Sequence, residues 1–137
     1  MLNIYRASAG AGKTHHLTGE FLKFLFRKDY LPESATHETQ FNEILAVTFT
    51  NKSTAEMKDR IIKELYKLSE NPAYSPYFEA LSTDGIGGNI DEDEVKRKAK
   101  KFLSDILNNY SEFAISTIDS FFQRIVRNFA SELNMQS

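Results

Sequence analysis

The chain has 137 residues, enough for one domain with its own core, and 41% apolar with 26% charged side chains is globular rather than disordered composition. It holds no cysteine, which excludes disulfides and thiolate metal sites and fits a reducing cytoplasm. A formal net charge of −2 does not advertise a nucleic-acid binder, though a local basic patch can serve where bulk charge does not.

In chain order, residues 2–6 (LNIYR) form a short β-prone run that opens onto ASAGAGKTHH, residues 7–16. From 13 to about 28 the pattern predicts a helix, with Leu17, Phe21, Phe24 and Leu25 on one face. Residues 29–42 hold Pro32 and small polar residues and read as a connection. The run ILAVTF at 44–49 predicts a strand buried on both faces. Helix is expected again over 51–68, with a stripe of Met57, Ile61, Leu65 and Leu68; Ser53 and Glu56 have capping-box spacing near its start.

Residues 71–90 carry Pro72, Pro76, Gly85, Gly87 and Gly88 and read as a long loop. A third helix is expected over 91–109, acidic first (DEDE) and then basic (KRKAKK), an order that complements the helix dipole. FAIST at 113–117 is a third strand candidate. The most strongly amphipathic helix follows over 118–133, with Ile118, Phe122, Ile125, Phe129 and Leu133 on one face. No apolar run is long enough to cross a bilayer, so no membrane association is expected, and no signal peptide opens the chain.

This alternation predicts an α/β fold, a parallel sheet flanked by helices. Ligands of such sheets gather beyond the carboxyl ends of the strands. All three expected strands end in chemistry-capable stretches, SAGAGK, TNK and STIDS, which should share one rim.

The first of these matches G-x-x-x-x-G-K-[ST] at Gly12, Lys13 and Thr14, with Ala7 in place of the first glycine. Gly10 and Gly12 let the backbone curl so that its N–H groups converge on phosphate oxygens, and the following helix adds its positive end. Lys13 supplies a point charge to the β/γ oxygens, and the Thr14 hydroxyl can ligate Mg²⁺. The nucleotide-binding set read from this loop is Ala7, Ser8, Ala9, Gly10, Ala11, Gly12, Lys13, Thr14 and His15. His15 and His16 are adjacent on a helix and point to different sides, so they do not make a metal pair. In the second stretch, Thr48, Thr50, Asn51 and Lys52 bring hydroxyls, an amide and an ammonium to a helix N-terminus, a phosphate-contact set with nothing that reads base edges. On local grounds alone, capping by Asn51 or Ser53 explains it as well.

ASAGAGKT, then AVTFTNKSTAEMKDRI, then ISTIDSFFQRIVRNFA together resemble the UvrD/Rep-like superfamily 1 DNA helicases, and within them the RecB and AddA branch, whose motors belong to helicase–nuclease complexes. The motifs cover about a third of the chain. The resemblance implies a partial RecA-like P-loop NTPase lobe that binds Mg·ATP through the first motif and the backbone of single-stranded DNA through TFTNK. It implies DNA-side contacts from the third block through Thr117 and Ser120. Asp119 stands where many relatives have histidine; an acid facing phosphate is unfavourable, and capping of the last helix is its expected role. About 64–112 would be a helical insertion between the second and third strands. Its basic run, Lys96, Arg97, Lys98, Lys100 and Lys101, reads first as a solvated helix face and second as a DNA grip.

The carboxylates that complete the Mg²⁺ site and position water in such relatives would end an apolar strand, and no D-E-x-x run does so here: the acid-rich stretch IDEDE at 90–94 precedes a helix instead. The chain therefore reads as the N-terminal part of the first lobe of a longer DNA helicase, expected to bind nucleotide weakly and not to hydrolyse it. Single- or double-stranded DNA, and a nuclease or second helicase subunit, are the expected partners. A small P-loop phosphotransferase and a non-catalytic nucleotide-binding module are the alternatives.

Overall fold

Helices with apolar residues three and four apart build the core, and the computed structural model describes them within residues 11–26, 41–83 and 91–135. The expected first strand at 2–6, loop residues 7–10, most of the 29–42 connection and residues 84–90 lie outside the described residues. Helix α1 spans Ala11–Phe26 and buries Phe21, Leu22, Leu25 and Phe26. It starts two residues earlier than the spacing predicts, so Gly12 and Lys13 lie within its first turn. Strand β1 is Ala46–Thr48, α2 is Asn51–Glu70, and a short helix α3 is Phe78–Thr83. Helix α4 spans Glu92–Asn108, β2 is Ile115–Thr117, and α5 runs Ile118–Met135.

The centre of the core is α2 against α4. Met57, Ile61, Leu65 and Leu68 form one stripe, and Val95, Ala99, Phe102 and Ile106 form the other, all nearly or fully out of water. Each large side chain so buried stabilises the fold by about 1.5–3 kcal/mol. Phe26 of α1 meets Phe102 edge-on at 5.2 Å, and Phe113, leading into β2, meets Phe21 at 5.7 Å. The three helices thus close one apolar layer.

Strands β1 and β2 pair in parallel, with Ala46 opposite Ile115, Val47 opposite Ser116 and Thr48 opposite Thr117. The α/β reading with a parallel sheet therefore holds, in a mostly helical form. The crossover between the strands carries α2, α3 and α4. Both strands are shorter than their apolar runs. A 3-10 turn at Phe41–Glu43 closes with Ile44 N–H donating to the Phe41 carbonyl, and Thr50 already caps α2. Leu45 and Phe49, which flank β1, are exposed rather than buried.

Two expectations are corrected here. Residues 71–83 are not loop: Asn71 caps a 3-10 turn at Pro72–Tyr74 by accepting from Ala73 N–H at 3.2 Å, and α3 follows. Pro72, Tyr77 and Leu81 are buried, so scattered single anchors hold this segment where no periodicity announces it. The basic run of α4 is neither at the helix end nor wholly solvated. The acidic start complements the dipole, with Asp91 capping Glu94 N–H at 3.0 Å, but the last turn holds no base and Lys98 is buried.

Helix α5 departs furthest from expectation. Its apolar face is formed as the spacing predicts, yet Phe122, Ile125, Val126, Phe129 and Leu133 are all exposed. Amphipathicity states that a face asks to be covered, not what covers it, and the main contacts of α5 are with β2 and β1. So much contiguous apolar surface should bind the dye ANS. Fluorescence enhancement is expected with the folded chain and should fall by roughly half when Phe122 and Phe129 are both changed to serine, two of the five exposed side chains. Unchanged fluorescence in that variant would show that the face is hidden in solution.

Candidate nucleotide and nucleic-acid site

The first turn of α1 leaves backbone N–H groups without helical partners, which is where an anion is best received. Gly12 and Lys13 are exposed there, and a Cβ built on Gly12 would meet nothing within 4 Å. Gly12 is thus not needed for local packing; the open space above it suits close approach by a ligand. Thr14 is half-buried, and its carbonyl accepts from the Thr18 hydroxyl at 2.7 Å, which ties the first turn to the second. A phosphate chain with Mg²⁺ fits this donor set: N–H groups, the Lys13 ammonium and the Thr14 hydroxyl. Among the described residues no group of three His, Asp or Glu side chains could hold a metal ion. Ala7, Ser8, Ala9 and Gly10 of the expected set lie outside the described residues, as does the side chain of Ala11.

The second and third stretches are brought side by side by the register. Thr48 and Thr117 are direct neighbours, and a helix springs from each strand end. The two N-termini are built alike. Thr50 caps α2 by accepting from Ser53 N–H at 3.0 Å, and its hydroxyl donates to Ser53 Oγ at 2.8 Å. Thr117 accepts from Ser120 N–H at 3.3 Å and donates to Ser120 Oγ at 3.0 Å. Threonine followed three residues later by serine thus makes both caps. The expected caps at Asn51, Ser53 and Asp119 are displaced by these threonines. Asp119 sits one residue inside α5, where an acid still complements the dipole.

Geometry divides the expected contact residues. Thr48 is buried, and its hydroxyl is held by the Thr50 carbonyl at 3.2 Å and by Thr54 Oγ1 at 2.6 Å. Thr117 is buried as well. Thr50, Asn51, Lys52 and Ser120 are exposed. The side chain of Lys52 is 86% exposed, with Glu56 4.0 Å away, an ion pair too wet to hold it. A strand laid across this rim would therefore meet Asn51, Lys52 and the two hydroxylated caps, over two positive helix ends.

A third group was not legible in the sequence. Tyr77 is buried between α1, α2 and the turn that carries it. Its hydroxyl lies 2.8 Å from His15 Nδ1 and donates to the His15 carbonyl at 3.0 Å, and its ring stacks on the imidazole at 4.7 Å. Burial pushes the Tyr77 hydroxyl above the usual tyrosine range; Glu64 pushes the same way, while Arg60 and Thr18 oppose it. Glu64 of α2 is itself buried, accepting from Ser75 Oγ at 2.7 Å and from Lys67 Nζ at 2.9 Å. The one available signal was Gly19 inside a helix.

Comparison with known proteins bears on what these rims serve. The sequence model of the UvrD/REP helicase N-terminal domain matches residues 3–137. The chain is 31% identical over 129 residues to an ATP-dependent helicase/nuclease subunit of Lactobacillus acidophilus, across 94% of this chain and 8% of that protein. It is similar to the RecBCD enzyme subunit RecB of Buchnera aphidicola, 31% identical over 93% of this chain and 10% of that one. With the RecB subunit of Escherichia coli it shares 30% identity over 96% of this chain and 11% of that one. The chain thus spans about a tenth of the length of the curated relatives it matches. No described helix is long and apolar enough to cross a membrane.

Proposed function

Because the chain belongs to the UvrD/REP helicase N-terminal domain family, we propose that it forms the opening part of the first RecA-like lobe of an ATP-dependent DNA motor of the helicase–nuclease kind. Lys13 and Thr14 hold the β/γ-phosphates and Mg²⁺ of ATP, with residues 7–12 and His15 around them. Asn51 and Lys52, with the caps at Thr50 and Ser120, hold the phosphates of one DNA strand without reading its bases. Thr48 and Thr117 fix that rim from beneath. The 137 residues bind nucleotide weakly and do not turn it over, since no D-E-x-x run ends an apolar strand in this sequence to position water. In the whole protein, ATP would close a second lobe on this one, and a nuclease or further helicase subunit would share the DNA. A cytoplasmic location accords with the lack of cysteine. About 64–112 would be the insertion that the resemblance implies, with the exposed Arg97, Lys100 and Lys101 of α4 as its secondary candidates for a DNA contact.

The observation that carries the reading is the register that sets Thr48 against Thr117 and so aligns two helix N-termini on one rim. Its test is salt-dependent binding to a single-stranded oligothymidylate. Lys52→Ala is expected to weaken binding equally on other sequences and to flatten the log–log salt slope by about 0.7, one phosphate contact. Binding that is absent at low salt, or a slope that Lys52→Ala leaves unchanged, would overturn the DNA half of the proposal. A phosphotransferase or nucleotide-binding module would give that result.

A further inference from the structure

We infer that Tyr77 is a positioning residue for the nucleotide site, a clamp that fixes the first turn of α1 to α2 through the segment at 72–77. The inference rests on the proposed nucleotide role of Lys13 and Thr14 and adds to it what holds those residues in place.

A tyrosine hydroxyl has one proton. Donated to the His15 carbonyl at 3.0 Å, it leaves the oxygen lone pairs facing His15 Nδ1 at 2.8 Å, which donates back in the tautomer that carries its proton on Nδ1. One hydroxyl thereby binds both the backbone and the side chain of the residue directly after Thr14. The ring adds a stack on the imidazole with an interplanar angle of 27°. Helix first turns fray unless tied down, and here His15, which directly follows that turn and the proposed Mg²⁺ ligand Thr14, is tied from outside the helix.

A second, independent feature is Gly19. Glycine inside a helix costs roughly 0.5–1 kcal/mol against alanine. In α1 it faces Tyr77: a Cβ there would stand 3.1 Å from Cε1 and 3.2 Å from Cδ1 of the ring. The missing side chain is the slot into which the ring fits. Position 19 therefore gives up helix stability to admit a side chain from a different segment.

The far side of the clamp is anchored as firmly. Tyr77 N–H donates to Ser75 Oγ at 3.3 Å, and Ser75 Oγ donates to the buried Glu64 of α2 at 2.7 Å. Helix α2 is the element whose N-terminus carries Asn51 and Lys52. His15, Tyr77, Ser75 and Glu64 therefore form one connected path from the proposed phosphate residues to the helix proposed to touch DNA. Such a path becomes a coupling only when perturbing one end moves the other, and that can be measured.

The test uses the 137-residue chain and Mg·ADP as probe, with affinity read by calorimetry and amide shifts by NMR. Wild type is expected to bind, and Lys13→Ala to lose most of the affinity. Tyr77→Phe keeps the ring and removes the hydroxyl; it should weaken Mg·ADP about fivefold, the scale of one neutral hydrogen bond. In wild type, Mg·ADP should move the amide signals of Ser75 and Tyr77, and in Tyr77→Phe the signal of Ser75 should stay in place. A merely structural role would lower stability without silencing that response. Gly19→Ala, which crowds the ring, should reproduce the loss of affinity while the helix content is kept. If wild type binds and Lys13→Ala does not, yet Tyr77→Phe matches wild type in affinity and shifts, the clamp is disproved and the nucleotide site stands. If wild type and Lys13→Ala behave alike, the nucleotide site falls and the clamp with it.

Discussion

Replacing Lys13 with alanine is expected to weaken the binding of a non-hydrolysable Mg·ATP analogue roughly 10- to 150-fold, the span that follows from losing a hydrogen bond to a charged group. Lys13 is exposed on the first turn of α1, beside N–H groups that have no helical partner. No ion pair engages it among the described residues, so its removal strands no buried partner among them. The thermal midpoint should accordingly stay where it is, and that separates a lost phosphate contact from a damaged fold. Equal affinity in the variant and the wild type would remove ATP from this end of the molecule. Lys52→Ala is the matching control: it should leave nucleotide affinity untouched, because that ammonium sits on α2.

The largest effect on stability is expected at Leu65. It is fully buried on the stripe by which α2 meets α4, and Leu65→Ala removes its packing and leaves a cavity. The cost should be about 2–5 kcal/mol, a large share of the 5–15 kcal/mol or so that holds a domain folded. For a chain of this length it corresponds to a fall in Tm of roughly 6–25 °C. Its neighbour Tyr66 is 59% exposed, and Tyr66→Ala should stay within about 0.5 kcal/mol. Urea denaturation followed by circular dichroism compares the two. A Leu65→Ala cost no greater than that of Tyr66→Ala would contradict the described α2–α4 packing.

What the sequence made legible follows from which interactions are periodic. The stripe Met57, Ile61, Leu65 and Leu68 repeats along one helix, so α2 and its buried face can be read directly. The parallel pairing follows from the alternation of strand and helix, and the rim from the polar strand ends. Tertiary partners leave no such period. Tyr77 sits among Pro76, Ser75 and Phe78, and nothing in that order announces a hydroxyl meant for His15. The caps escape a sequence reading for a related reason: Thr50, Asn51 and Ser53 all have capping chemistry, and only the backbone at Thr50, extended at φ −129° and ψ 154°, decides among them. On α5 the apolar face is legible and its surroundings are not, since exposure depends on the rest of the molecule.

The connection between β1 and β2 also sets a timetable. Residue 48 leaves the ribosome long before its partner 117, and at ordinary rates of synthesis the interval is roughly 3 to 14 s. Helices form in microseconds, so α2 and α4 can dock on each other, and α1 on α2, while β1 still waits without a neighbour. On this timetable the helical layer can assemble first, and the strand pair that aligns Thr50 with Ser120 can form only after it. A nascent chain whose α4 has left the ribosome and whose β2 has not would present packed helices and a rim that does not yet exist.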